Sequence, residues 1–240
     1  MNVTGKTVLL TGGTNGIGRE LAIQLKSKGA TVVTTGRNPQ RVESMRDAGF
    51  EVIEADLSDA AGVDALANAV KDRAIDVLVN NAGQLADHDF RKGPVDPEVS
   101  DTAIYTNLSA PIRLTVALMD LLMQRPEAAI VNVTSGLAVA PAARQPVYCA
   151  TKAGFRFYTL ALRAQLAETN VHVIEALPPV VDTQMNEGRD TKKMSPSECA
   201  RQIVVAIERN ANEANIGMTK ALRVMEGIHP ALAKSMTLKF

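Results

Sequence analysis

Tyr148 and Lys152 stand four residues apart in Tyr148-Cys149-Ala150-Thr151-Lys152. On a helix that separation puts both side chains on one face, one turn apart. A phenol ionises near pH 10 and is a poor proton carrier at neutrality. A neighbouring ammonium stabilises the phenolate and lowers that value, which makes the pair a tunable acid and base. Taken alone, the spacing also describes an amphipathic helix with a partly buried tyrosine and a surface lysine. Ser135 follows the apolar run Ala129–Thr134, and Asn80-Asn81-Ala82-Gly83 follows the run Asp76–Val79. In an open parallel sheet, ligands bind beyond the carboxyl ends of the strands. Ser135 is thus placed to reach a substrate oxygen, although a turn serine reads the same way in isolation.

A second group could hold a phosphate. The run Val8–Leu10 leads into Thr11-Gly12-Gly13-Thr14-Asn15-Gly16-Ile17-Gly18, and a helical pattern begins at Ile17. Strand, glycine turn and helix together let a pyrophosphate approach the backbone and meet free N–H groups at a helix N-terminus. The spacing Gly12-x-x-x-Gly16-x-Gly18 is not G-x-G-x-x-G, and a βα turn without a ligand is the plainer alternative. The next apolar run closes on Thr34-Thr35-Gly36-Arg37-Asn38. An acid there would bind an adenosine ribose; none is present, and Arg37 could pair with a 2′-phosphate. Both features favour NADP(H) over NAD(H).

These residues need a scaffold, and the hydrophobic pattern supplies one. Apolar runs rich in β-branched residues occur at Thr7–Leu10, Ala30–Thr35, Val52–Glu54, Asp76–Val79, Ala129–Thr134 and Val171–Ala176. They read as buried parallel strands. Helical stretches lie between them: Ile17, Leu21 and Leu25 form one stripe, and Val63, Leu66 and Val70 another, with Asp59 as its cap. Longer ones span about Pro97–Met123 and Val147–Ala167, and Ser195-Pro196-Ser197-Glu198 opens a last one running to about Asn210. The expected fold is a single α/β domain over residues 1–240, a doubly wound parallel sheet with helices on both faces.

Composition narrows the function. The chain has 240 residues with 26 basic and 26 acidic side chains, so net charge makes no case for nucleic acid. No apolar run nears the roughly 18 residues that span a bilayer. The first residues lack the pattern of a signal peptide, so a cytoplasmic protein is expected. Two cysteines exclude a disulfide framework, and His88, His172 and His229 are too scattered for a metal site. Cys149 points off the Tyr148–Lys152 face, against a nucleophilic role. Asp87, His88 and Asp89 either rim a substrate pocket or form a solvated loop.

In combination, the motifs resemble the classical short-chain dehydrogenases/reductases. Thr11-Gly12-x-x-x-Gly16-Ile17-Gly18, Asp56, Asn80-Asn81-Ala82-Gly83, Asn107, Ser135 and Tyr148-x-x-x-Lys152 occur in family order, over about residues 5–183. The resemblance implies an oxidoreductase that interconverts a carbonyl and an alcohol on a small or medium molecule. Tyr148 would be the acid/base and Ser135 would polarise the substrate oxygen. Lys152 would tune Tyr148 and bind the nicotinamide ribose, and Asn107 would hold a relay water. Cofactor contacts would come from Gly12, Thr14, Asn15, Gly16, Ile17, Gly18 and Arg37. Asp56 and Leu57 would lie near the adenine, Asn81, Ala82 and Gly83 along the adenosine ribose, and Val181 and Thr183 at the carboxamide. A homodimer or homotetramer built through the helices near Asn107 and Tyr148 is implied as well. The competing reading is a dinucleotide-binding redox sensor or scaffold with little turnover.

Three departures from the family pattern stand out. Pro178-Pro179 replaces the usual Pro-Gly and removes an N–H from the nicotinamide-side turn. The polar stretch at about 184–197 reads as a substrate loop. The tail at about 219–240 carries Leu222, Met225, Ile228, Leu232 and Met236 at helical spacing, for which packing against the domain's own body is expected first, with a subunit contact or a lid as alternatives. A short strand is expected at Asn215–Met218.

Overall fold

The computed structural model describes residues 1–87, 89–90, 93–188 and 190–239. Seven strands, β1 (Thr7–Leu10), β2 (Thr31–Gly36), β3 (Glu51–Glu54), β4 (Val77–Asn80), β5 (Ala128–Val133), β6 (Val171–Leu177) and β7 (Glu213–Asn215), form one parallel sheet in the order β3-β2-β1-β4-β5-β6-β7. Strand side chains alternate between its faces. Val8, Leu10, Val77, Val79 and Val131 face one side and Leu9, Leu78 and Ile130 the other, as the two-residue period of a pleated strand requires.

Helices α1 (Gly16–Ser27), α2 (Pro39–Asp47) and α7 (Pro196–Glu208) cover the first side through Leu21, Leu25, Val42, Met45, Ile203 and Ile207. The second side is covered by α3 (Ala60–Val70), α5 (Ala110–Met123) and α6 (Pro146–Gln165), through Val63, Leu66, Leu114, Leu118 and Leu162. The chain winds outward from β1 to β3, then returns to place β4 on the other flank of β1, with Val8, Leu9 and Leu10 in register with Val77, Leu78 and Val79. That reversal opens a crevice at the carboxyl ends of β1 and β4. The result is the expected doubly wound Rossmann-like domain.

The structure revises several expected elements. The stretch Pro97–Met123 is not one regular helix: α4 (Pro97–Ile104) and α5 flank a π-helical turn over Tyr105–Ser109. Helix α2 has too few apolar residues to show a stripe; Asn38, whose side chain caps the Arg41 N–H at 3.0 Å, and Pro39 at its first position are its readable signals. The last strand lies at Glu213–Asn215 instead of Asn215–Met218, because after the ladder bond from Ile216 N–H to Leu177 O a turn closed by Thr219 N–H to Ile216 O leads the chain into α8 (Thr219–Ile228). The tail breaks into α8 and α9 (Pro230–Thr237) at His229-Pro230, where proline cannot continue a helix. Its stripe packs only in part: Leu222 and Met225 are half-buried, whereas Ile228 is 79% exposed and Leu232 and Met236 are also exposed. The polar stretch is pinned at both ends by Met194 N–H to Val180 O and Asp182 N–H to Met194 O, with a short turn at Gln184–Asn186, and its last residues belong to the capped start of α7.

Candidate active site

The crevice is a cleft of about 610 Å³, a size usual for small-molecule sites. Its floor is the glycine turn. Thr11 stitches that turn to the loop after β4: its hydroxyl accepts from the Asn81 and Ala82 N–H groups, both at 3.0 Å. The Asn81 amide donates back to Thr11 O at 3.0 Å and Gly12 O at 3.2 Å. Gly18 is demanded by this packing, since a Cβ there would lie 2.2 Å from Gly12 O and 2.5 Å from the Asn81 amide. Helix α1 begins with no side-chain cap on its first N–H groups and no acid in its first turn. Its positive end therefore opens on the cleft at Thr14, Asn15 and Gly16, fitting an anionic group.

One wall comes from the ends of β2 and β3. Arg37, Asp56 and Leu57 line it, and Arg37 sits 3.6 Å from the Asp56 carboxylate with both side chains exposed. Arg41, on the first turn of α2, lines the same corner and donates to Gln184 Oε1 at 2.6 Å. Gln184 thus reaches across the cleft from the segment after β6. Val181 and Thr183 form the wall below it, with the Thr183 methyl against Gly16. The Arg41 contact lay beyond a sequence reading that had no α2; the Asn38-Pro39 helix start was the signal for it.

At the other end, Pro146 starts α6 and places Tyr148, half-buried, on its first turn. One turn later Lys152 is only 4% exposed; its Nζ donates to Val133 O at 2.9 Å and lies 5.8 Å from the centre of the Tyr148 ring. Burial lowers the Lys152 ammonium to about 8, because the charged form loses its hydration. Ser135 Oγ accepts from the Leu137 N–H at 3.1 Å, which leaves its O–H to donate into the cleft. Ser135, Tyr148 and Lys152 share the cleft with Gly12, Ile17, Ala82 and the rest of the expected cofactor set.

Asn107 lies behind this wall instead of in it. Held in the π-helical turn, its Oδ1 accepts from the Gln84 N–H at 2.9 Å, and its Nδ2 donates to Gln84 O at 2.9 Å and Thr151 Oγ1 at 3.2 Å. A Cβ on Gly83 would lie 3.0 Å from Asn107 Oδ1 and 3.7 Å from Lys152 Nζ, so glycine lets Asn107 pack close against the chain at this point. Cys149 is buried and turned to Ala142, and burial pushes its thiol up, away from nucleophile chemistry. Asp87 accepts from the Gln145 amide at 2.8 Å; His88 lies outside the described residues. Among the described residues there is no cluster of three metal-ligating side chains and no helix long and apolar enough to cross a membrane.

Comparison with known proteins agrees with this geometry. A family model described as short chain dehydrogenase matches residues 6–194. The chain is 44% identical over 191 residues to the uncharacterized oxidoreductase DltE of Bacillus subtilis (strain 168), covering 78% of this chain and 76% of that protein. A short chain dehydrogenase from Burkholderia cenocepacia J2315, solved in complex with NADP, superposes with a TM-score of 0.87 at 26% identity over 99% of both chains. One from Sphingobium yanoikuyae, in complex with NADPH, gives 0.81 at 26% identity over 95% of this chain and 94% of that one. With its doubly wound sheet, its glycine turn and the Ser135–Tyr148–Lys152 constellation in one cleft, the chain belongs to the short-chain dehydrogenase/reductase family of NAD(P)-dependent oxidoreductases.

Proposed function

We propose that this protein is an NADP(H)-dependent carbonyl/alcohol oxidoreductase, with Tyr148 as its acid/base. The observation that carries the reading is the buried Lys152 ammonium beside the Tyr148 ring, at the end of a cleft whose other end offers a helix N-terminus and two arginines. A bound nicotinamide dinucleotide would supply or accept the hydride. Gly12, Thr14, Asn15, Gly16, Ile17 and Gly18 would hold its pyrophosphate, Asp56, Leu57, Asn81, Ala82 and Gly83 its adenosine, and Val181, Thr183 and Lys152 its nicotinamide side. Ser135 donates a hydrogen bond to the substrate oxygen, and Tyr148 gives that oxygen a proton in reduction or removes one in oxidation. Both groups aim at the atom where negative charge develops, so they stabilise the transition state more than the ground state. By the family resemblance, Asn107 would hold a water that links Lys152 to solvent, through which Tyr148 would be reprotonated.

The test is NADPH oxidation against a panel of carbonyl compounds. Tyr148→Phe is expected to lower turnover at least about a hundredfold while leaving NADPH affinity within a few fold. Full activity in that variant would overturn the acid/base assignment. Tight NADPH binding with no turnover on any compound would support the redox-sensor reading instead. Arg37→Ala and Arg41→Ala should each reduce the preference for NADPH over NADH by roughly tenfold or more, the value of a charge-assisted hydrogen bond. An unchanged preference in both would remove the case for NADP.

A further inference from the structure

Helix α6 carries a third member of the stripe that begins with Tyr148 and Lys152. Arg156, four residues on, is buried and faces the carboxylate of Glu175 on β6, which has no exposed surface. One Glu175 oxygen accepts from Arg156 Nη1; the other accepts from the Thr134 hydroxyl at 2.7 Å. Thr134 stands between Val133, whose carbonyl receives Lys152, and Ser135. Consecutive residues at the end of β5 thus hold consecutive members of the α6 stripe, one directly and one through Glu175. The charge alternation continues outward: Arg156 Nη2 donates to Glu213 on β7 at 3.1 Å, and Arg223 on α8 lies 3.5 Å from Glu213 and 3.0 Å from Glu226.

A buried ion pair of this kind is a weak stabiliser, since apolar side chains of the same volume often serve stability as well or better. What it supplies is a fixed seating and a balance of charge. We propose that Arg156 and Glu175 are positioning residues for the Tyr148–Lys152 pair: anchored through Thr134 to the residue before Ser135, they seat α6 against β5 and neutralise each other one turn from Lys152. The proposal rests on the acid/base reading of Tyr148 and extends it to two groups outside the cleft.

The experiment titrates Tyr148 in the full chain by tyrosinate absorbance, with the signal of Tyr105 and Tyr158 removed by subtracting the same curve in a Tyr148→Phe background. Glu175→Gln leaves the Arg156 cation with Glu213 as its one remaining carboxylate partner and is expected to shift the Tyr148 midpoint down by roughly one pH unit. Arg156→Gln leaves the carboxylate uncompensated and is expected to shift it up by a similar amount, and the double variant should return close to the parent. The other charges facing the pair stay in place throughout: Lys152 and Arg163 from α6, Glu213 from β7 and Arg223 from α8. A purely structural role would move both single variants the same way. Shifts of one sign, or none, overturn the proposal. Where the buried variants do not fold, Glu213→Gln and Arg223→Gln, at the less buried end of the chain of charges, should give smaller shifts down and up respectively, and no shift in either is equally fatal. Because the titration needs no turnover, an active Tyr148→Phe protein would refute the acid/base reading without deciding this test.

Discussion

Lys152 shows most plainly how one residue is set between stability and chemistry. Its ammonium lies among buried groups with Val133 O as its partner, and its value falls from the ordinary lysine range to about 8. Below pH 8 the folded protein therefore bears the full cost of a desolvated charge, about 3 kcal/mol for a shift of this size. Between pH 8 and the unfolded lysine value near 10.5, the unfolded state binds more protons, so that cost is relieved and stability rises with pH. Lys152→Met is accordingly expected to abolish turnover while raising the melting temperature of the cofactor-free protein at pH 7. Melting curves taken from pH 7 to 10.5 should show the variant's advantage shrinking; a lysine variant that melts lower at every pH would contradict this. That Ser135, Tyr148 and Lys152 share one cleft was legible from sequence, because a strand end places Ser135 and helical spacing puts Tyr148 and Lys152 on one face. Arg41 was not, because its place beside Arg37 exists only once α2 has folded back from β2. Gln184 was read only as part of a polar loop, since its contact spans 143 residues of chain.

Among the elements, the π-helical turn at Tyr105–Ser109 is one that hydrophobic periodicity could not reveal. One widened turn leaves the apolar stripe of α5 intact, and the stretch reads as a single helix. Its consequence is local: Asn107 is rotated to grip both main-chain groups of Gln84 and the Thr151 hydroxyl, joining the loop after β4 to α6. Asn107→Ala removes the partner of the half-buried Gln84 N–H and C=O, at a cost of about 1–2 kcal/mol. Denaturant unfolding should show that loss, and hydrogen exchange should show the Gln84 amide newly unprotected; a variant as stable as the parent would mean that the grip is redundant. The first six strands, by contrast, were readable to within about a residue of their ends, because burial on both faces leaves an unmistakable apolar run; β7, half-buried along its length, was not. Helix α2 escaped because Val42 and Met45 are all it contributes to the core.

At the scale of the molecule, the surface is where sequence patterns say least. An apolar residue at helical spacing reads as core whether or not anything covers it, and the α8–α9 tail is the case in point. Val116 on α5 and Phe157 on α6 are likewise exposed, at 70% and 72%, on the two helices through which an oligomer is expected. An oligomer built through these helices predicts that Phe157→Glu sediments as a smaller species with unchanged circular dichroism, whereas Ile228→Lys on α8 leaves the sedimentation unaltered. Equal sedimentation of parent and Phe157→Glu would place any assembly elsewhere.

The stitch between Thr11 and Asn81 spans 70 residues of chain, and that distance has a kinetic meaning. Strand β1 cannot acquire its inner neighbour until β4 has been synthesised and has returned past β2 and β3. The crevice between them is therefore expected to form late in folding, after a large loop has been closed. A dinucleotide that binds there meets nothing to hold in the early chain. It should accordingly leave the refolding rate almost untouched and slow unfolding instead, so that its protection takes the form of a longer native lifetime.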